Sequence, residues 1–205
     1  LITVLAGLRY NLYSYLGAQT VYKYLPNSPL TPSTIVDTLY FGDNKPIKTY
    51  GGLDYRLSVN FLLNQNISIK AGYNRLHQYI FMLSNTIALS PTDTWKLADY
   101  NIKPMVGDQF SVGMYANFGK HLEGSIEGYY KIVNNLVEYK DGANMVTSKV
   151  VDQDVLQGKL NAYGIEMMIK KPFGKLNGWV NYSYSNSSVL VDNKITGESI
   201  NFGQR

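Results

Sequence analysis

Residues 122–132 read Leu-Glu-Gly-Ser-Ile-Glu-Gly-Tyr-Tyr-Lys-Ile, and apolar side chains alternate with polar ones for most of this stretch. Ile126 and Ile132 fall on one side of an extended chain, while Glu123, Glu127 and Lys131 fall on the other. Successive side chains of a β-strand point to opposite faces of the sheet. The pattern therefore predicts a strand with one apolar face and one charged face.

The same alternation occurs about seven times, and the connections between the strands alternate in length. The predicted strands are residues 1–13, 47–63, 67–74, 108–118, 122–133, 163–170 and 177–185. Tight turns near residues 64–66, 119–121 and 172–174 alternate with connections of two dozen residues or more. Short turns on one side and long loops on the other are typical of up-and-down barrels in outer membranes. The predicted fold is therefore all-β, an antiparallel up-and-down transmembrane β-barrel segment.

Ionised side chains lie in the middle of these strands, but almost entirely on one face. An ionised residue that faces lipid costs about 2–4 kcal/mol at the bilayer midplane, so the charged face should line the lumen. The predicted lumen-facing residues are Arg9, Arg56, Lys70, Glu123, Glu127, Lys131 and Glu166. Tyrosines gather on the opposite face, towards the long loops, as expected of an aromatic girdle at the lipid interface. They are Tyr10, Tyr55, Tyr73, Tyr130, Tyr163, Tyr182 and Tyr184.

About seven strands are too few to close a barrel with such long loops and so charged an interior. Barrels of 22 strands have a plugged lumen and fit this pattern, so residues 1–205 are expected to be part of one such barrel domain. Both ends of the sequence are expected to be cuts within a longer protein, since Leu1 begins in the middle of a predicted strand.

Composition and spacing exclude several other classes of protein. The chain has no apolar run near 18 residues for a transmembrane helix, and it has no cysteine. Its net charge is +4, but the basic residues are scattered, so no nucleic-acid partner is expected. His77 and His121 lie in different predicted regions, and no catalytic constellation is present. We therefore expect no enzymatic activity, no metal and no cofactor, and residues 152–154 should be a solvated acidic loop.

Several short strings of residues occur in an order and spacing similar to those of one family. They are residues 7–11 (Gly-Leu-Arg-Tyr-Asn), 48–58 (Lys-Thr-Tyr-Gly-Gly-Leu-Asp-Tyr-Arg-Leu-Ser), 70–75 (Lys-Ala-Gly-Tyr-Asn-Arg) followed by Gln78-Tyr79, 90–97 (Ser-Pro-Thr-Asp-Thr-Trp-Lys-Leu), 127–131 (Glu-Gly-Tyr-Tyr-Lys) and 163–166 (Tyr-Gly-Ile-Glu). Over essentially its whole length, the chain resembles the C-terminal barrel of TonB-dependent outer-membrane receptors, of the type with an N-terminal carboxypeptidase-regulatory-like domain. The resemblance implies a plug domain and a TonB box, and neither is in this chain.

That resemblance implies active, TonB-coupled uptake of a nutrient across the outer membrane of a Gram-negative bacterium. The expected partners are outer-membrane lipid, the protein's own plug domain, TonB, and a surface lipoprotein that supplies part of the binding. A siderophore, an oligosaccharide, a peptide and a vitamin all remain open as the substrate. The open alternatives are a passive or protein-translocating outer-membrane barrel and a soluble β-sandwich binding module.

The long connection after the third predicted strand is the candidate ligand-binding segment, because long loops on a rigid scaffold commonly carry binding. Trp95 and Tyr100 are expected to offer ring faces, and Arg75 and Lys96 to meet carbonyl or carboxylate groups of the ligand. In the alternative interpretation, Trp95 only packs this loop against the rim of the barrel.

Overall fold

The computed structural model describes residues 1–83, 94–119, 121–140, 150–192 and 199–204. Its strands are β1 (Ile2–Leu16), β2 (Gln19–Tyr24), β3 (Ile35–Phe41), β4 (Pro46–Leu62), β5 (Ile67–Gln78), β6 (Ile80–Leu83), β7 (Thr94–Leu97), β8 (Met105–Phe118), β9 (Leu122–Tyr139), β10 (Val155–Lys171), β11 (Gly178–Asp192) and β12 (Ser199–Gln204). The helical segments in these ranges are two 3₁₀ turns, Pro32–Thr34 and Val151–Gln153. None of the described helices is long and apolar enough to cross a membrane.

Eight of the strands form one antiparallel sheet in the order β1-β4-β5-β8-β9-β10-β11-β12. Strand order follows chain order, so the predicted up-and-down β-barrel segment is confirmed. The seven predicted strands are all present, and β12 adds an eighth that the sequence pattern did not show. The alternative of a β-sandwich is wrong, because a sandwich needs two large sheets packed face to face, whereas eight strands of the described residues form one sheet in chain order.

The strands extend farther towards the long connections than the alternation predicted. β5 continues to Gln78 and β8 begins at Met105, so the predicted loop over residues 75–107 is too long. Likewise β9 runs to Tyr139 and β10 begins at Val155, inside the predicted loop over residues 134–159. The long connections also contain two hairpins that the prediction missed, β2–β3 and β6–β7.

Cross-strand register divides the sheet into two faces, because residues paired between strands share a face. Arg9 pairs with Asp54, Lys70 pairs with Gly113, and Glu127 pairs with both Gly113 and Glu166. All seven charged residues assigned to the lumen lie on this side, which we call the charged face. The seven tyrosines assigned to the girdle lie on the other side, the apolar face, where Tyr73 and Tyr130 both pair with Phe110.

Candidate functional site

The long connections all leave the same end of the sheet and pack together there. We call their described parts the cap: residues 17–45, 79–83, 94–104, 140 and 150–154. Phe81 and Leu83 of β6 are buried with Ala98 and Ile102 of the same connection. The ends of β9 and β10 add Val137 and Val155 to this cluster, so the cap has a small hydrophobic core of its own.

Two tyrosines of the wall fasten the cap to the sheet. Tyr13 and Tyr50 are cross-strand partners on the charged face, above Arg9 and Asp54. The Tyr13 hydroxyl donates to the carbonyl oxygen of Ala98 at 2.8 Å, and the Tyr50 hydroxyl donates to that of Asp99 at 2.7 Å. The connection between β5 and β8 is therefore held over the charged face of β1 and β4.

A charged network lies inside the cap. The Lys96 ammonium contacts the carboxylates of both Asp99 and Asp152, and the Lys96 side chain is only 16% exposed. Asp99 also accepts hydrogen bonds from the backbone N–H groups of Asn101 and Ile102, both at 2.9 Å. Asp152 is thus part of a buried ion network, and the expectation that residues 152–154 form a solvated loop is wrong for this residue.

The electrostatics of this network follow from burial and from its excess of negative charge. Burial lowers the pKa of Lys96, but the charges of Asp152 and Asp99 outweigh it and hold the pKa above its ordinary value. Burial raises the pKa of Asp99, and the neighbouring Asp152 carboxylate raises it further. One ammonium neutralises two carboxylates only in part, so loss of Lys96 would leave two buried acidic groups without their cation.

Further hydrogen bonds join the three connections to one another. Asn101 donates from its side-chain amide to the carbonyl oxygen of Tyr22 at 3.2 Å and to Asp152 at 3.0 Å. Gln153 donates to the Tyr24 hydroxyl at 3.1 Å, and the Lys140 ammonium donates to the carbonyl oxygen of Leu30 at 3.3 Å. The loops are therefore cross-linked into one unit.

The four residues predicted to bind ligand are not brought together as one group. Trp95 is 68% exposed, opposite Met82 on the outward face of the β6–β7 hairpin. Tyr100 is half-buried, with the Lys48 ammonium 5.8 Å from its ring centre. Lys96 is held in the buried network, and Arg75 lies in β5 on the apolar face, 3.7 Å from Asp108. A ligand contact by any of the four stays a prediction.

On the charged face, one buried carboxylate organises the wall below the cap. Asp54 is 4% exposed and accepts hydrogen bonds from Arg9 at 2.7 Å and from Asn11 at 2.6 Å. It also accepts the backbone N–H of His77 at 3.0 Å, with His77 Nδ1 2.7 Å away. The ring of His77 covers Gly52, where an added Cβ would lie 2.6 Å from Nε2, so only glycine fits there.

Sequence reasoning missed Asp54, His77, Asp99 and Asp152 as organising residues. Lys96 and Asp152 are 56 positions apart, and Asp54 and His77 are 23 apart. The spacing of these residues in the sequence does not indicate that they pair, because only the fold brings them together. Among the described residues, no group of three or more histidine, cysteine, aspartate and glutamate side chains could hold a metal ion.

Comparisons with known proteins agree with this architecture. The family model for the TonB-dependent receptor-like β-barrel matches residues 2–205. No curated protein and no solved structure matches the chain. The members of the matching family are transporters of the Gram-negative outer membrane that act with TonB. With an up-and-down sheet, one charged and one apolar face, and a match over nearly its whole length, the chain belongs to the TonB-dependent receptor-like β-barrel family.

Proposed function

We propose that this chain supplies part of the wall and the extracellular cap of an active nutrient transporter in the outer membrane of a Gram-negative bacterium. The observation that carries the proposal is the cap itself. Three connections from one end of the sheet share a hydrophobic core and an ion network, and they lie over the face that carries the charges. A passive pore has no need of a packed cover on its mouth.

In this proposal the charged face meets a plug domain and the apolar face meets lipid. TonB acts through a part of the protein that this chain does not include. An N-terminal carboxypeptidase-regulatory-like domain and a surface lipoprotein partner remain predictions from the family resemblance. The experiment that separates active transport from a passive or protein-translocating barrel is uptake by cells with and without TonB. Uptake that continues unchanged without TonB would contradict the proposal.

Surface labelling tests the orientation of the sheet. Cysteines in place of Tyr40 and Trp95 should react with an impermeant maleimide on intact cells, because both side chains are exposed in the cap. Cysteines in place of Gln65 and Phe173, in exposed turns at the opposite end, should react only after the outer membrane is opened. Labelling of the last two on intact cells would invert the proposed topology.

The loop lengths of the sequence predict that the loops around Tyr24, Trp95 and Gly142 are extracellular and that the turns at Gln65, Lys120 and Gly174 are periplasmic. Tyr24 is unsuitable for labelling, because it is 8% exposed and packs in the cap. A cysteine there would report burial rather than orientation, and Tyr40 replaces it. Gly142 and Lys120, expected outside and in the periplasm respectively, lie outside the described residues.

Trp95 and Tyr100 are the residues we propose for ligand contact. The double substitution Trp95→Ala and Tyr100→Ala should weaken substrate binding by the full-length receptor about thirtyfold, which corresponds to the roughly 2 kcal/mol of one aromatic hot spot. Binding by purified receptor and uptake by cells with equal receptor levels provide the measurement. Tyr40→Ala, an exposed aromatic in the β2–β3 hairpin, is the matched control. Unchanged binding in the double variant would contradict a ligand contact by either ring.

A further inference from the structure

An apolar groove crosses the apolar face just below its tyrosines, with a volume of about 620 Å³. Its floor follows one line of register through Ala71, Val112 and Gly128 on β5, β8 and β9. The next line towards the cap carries much larger side chains, Tyr73, Phe110 and Tyr130. Large side chains beside small ones leave a trough between the strands, and Gly128 contributes no side chain to its floor.

The aromatic rings do not close over this trough. Phe110 leans towards β5 and stacks on Tyr73, with ring centres 4.3 Å apart. Among the described residues, no ring contact joins Phe110 to Tyr130, its direct cross-strand partner. The gap between these two rings therefore opens above Gly128, where an added Cβ would find only the carbonyl oxygen of Gly164, 3.9 Å away.

An ion pair lies at the end of the groove that is nearest to the cap. Arg75 and Asp108 face each other one register step beyond the aromatic line, and Arg75 donates to the Tyr55 hydroxyl at 3.1 Å. Asp108 in turn accepts the Tyr73 hydroxyl at 2.7 Å. An ion pair on a lipid-facing surface is stable only near the headgroups, where water is within reach. The groove therefore begins at the headgroup boundary and continues into the hydrocarbon region.

We propose that this groove is a specific binding site for one acyl chain of a membrane lipid in the outer leaflet, with the headgroup beside Arg75 and Asp108. The proposal rests on the proposed placement of this face in the bilayer, and it is independent of the transported substrate. Its lining is almost wholly apolar, which suits an alkyl chain, and it is continuous with the surface that the family exposes to the membrane. Acyl chains that only surround a smooth barrel would need no such cavity.

Filling the groove tests the proposal in the full-length receptor. Gly128→Leu and Val112→Phe should each occupy it from a different strand, and the open space at Gly128 means that the first variant should assemble normally. Ile126→Leu, an apolar change of equal volume on the same face of β9, is the control. The measurement is native mass spectrometry of detergent-purified receptor titrated with lipid A, the acylated lipid of the outer leaflet. Folding is checked by the heat-dependent mobility of the barrel on gels.

We expect the first retained lipid to bind at least tenfold more weakly to both groove variants than to native receptor and the control. The deacylated disaccharide of lipid A, which has the headgroup without acyl chains, should not compete. Equal lipid binding in all four proteins would overturn the proposal. A second result would also overturn it: native receptor carries a bound second protein chain, the groove variants lack that chain, and lipid binding is the same in all. The occupant of the groove would then be a protein. Normal substrate uptake by a variant that has lost the lipid would leave the transport proposal intact.

Discussion

In full-length receptor carrying Lys96→Met, backbone amides of residues 94–102 and 150–157 should exchange with deuterium about a hundredfold faster than in native receptor. The substitution keeps the length of the side chain but removes the cation between Asp99 and Asp152. Removing one partner of a buried ion pair typically costs about 3–5 kcal/mol, and the residual exposure of Lys96 favours the lower end. About 3 kcal/mol of local stability corresponds to roughly a hundredfold in local opening.

Two further variants test whether the faster exchange comes from loss of the buried ion network. Lys103→Met changes an exposed lysine of the same connection and should leave exchange unchanged. Adding Asp99→Asn to Lys96→Met should recover part of the protection, because the amide oxygen can still accept the N–H groups of Asn101 and Ile102 without carrying a buried charge. Exchange at the native rate in Lys96→Met would show that the hydrophobic core alone holds the cap.

The second large effect concerns the two faces of β9. Ile126→Arg should block assembly of the receptor, because Ile126 lies on the apolar face between Met114 and Met167. A guanidinium that faces lipid near the bilayer midplane costs about 2–4 kcal/mol. The expected result is a strong decrease of folded receptor in outer-membrane fractions, with the chain degraded or aggregated in the periplasm.

Glu127→Gln, one residue farther along the strand, is the control for that experiment. Glu127 lies on the charged face opposite Glu166, and loss of one of two facing carboxylates should leave assembly unaffected or slightly improved. Because side chains alternate with a period of two, a shift of one residue in register would exchange the two outcomes. Equal tolerance of both changes would therefore contradict the assignment of the faces.

Much of the wall could be predicted from the sequence, because a strand between water and lipid must alternate. The division of Ile126 from Glu127 is a local pattern, and register with the neighbouring strands reproduces it. The alternation ends where a strand no longer has water on one face and lipid on the other. Val137 and Val155 are buried in the core of the cap, and a register shift at Gly158 and Lys159 interrupts the pairing of β9 with β10 just before them. The sequence pattern therefore predicts a loop where β9 and β10 in fact continue.

The cap could not be predicted in the same way, because its contacts join residues that are far apart in the sequence. Trp95 and Lys96 are neighbours in β7, yet Trp95 is exposed and Lys96 is buried between two carboxylates. Sequence alone assigned the same role to both, since an aromatic ring beside a lysine suggests a binding surface. Trp95 and Lys96 differ because they lie on opposite faces of the β6–β7 hairpin, and the sequence pattern predicts a loop in place of that hairpin.

The strands are longer than the apolar band of an outer membrane requires. β9 has 18 residues, which corresponds to about 60 Å of extended chain. At a tilt of about 40° it rises about 45 Å, whereas the apolar band of such barrels is about 25 Å tall. The turns at the other end are short, so most of the remaining height, about 20 Å, lies on the side of the cap. In the proposed orientation the cap therefore lies outside the hydrocarbon region, and a ligand that binds the loops meets the receptor before it meets the apolar band of the membrane.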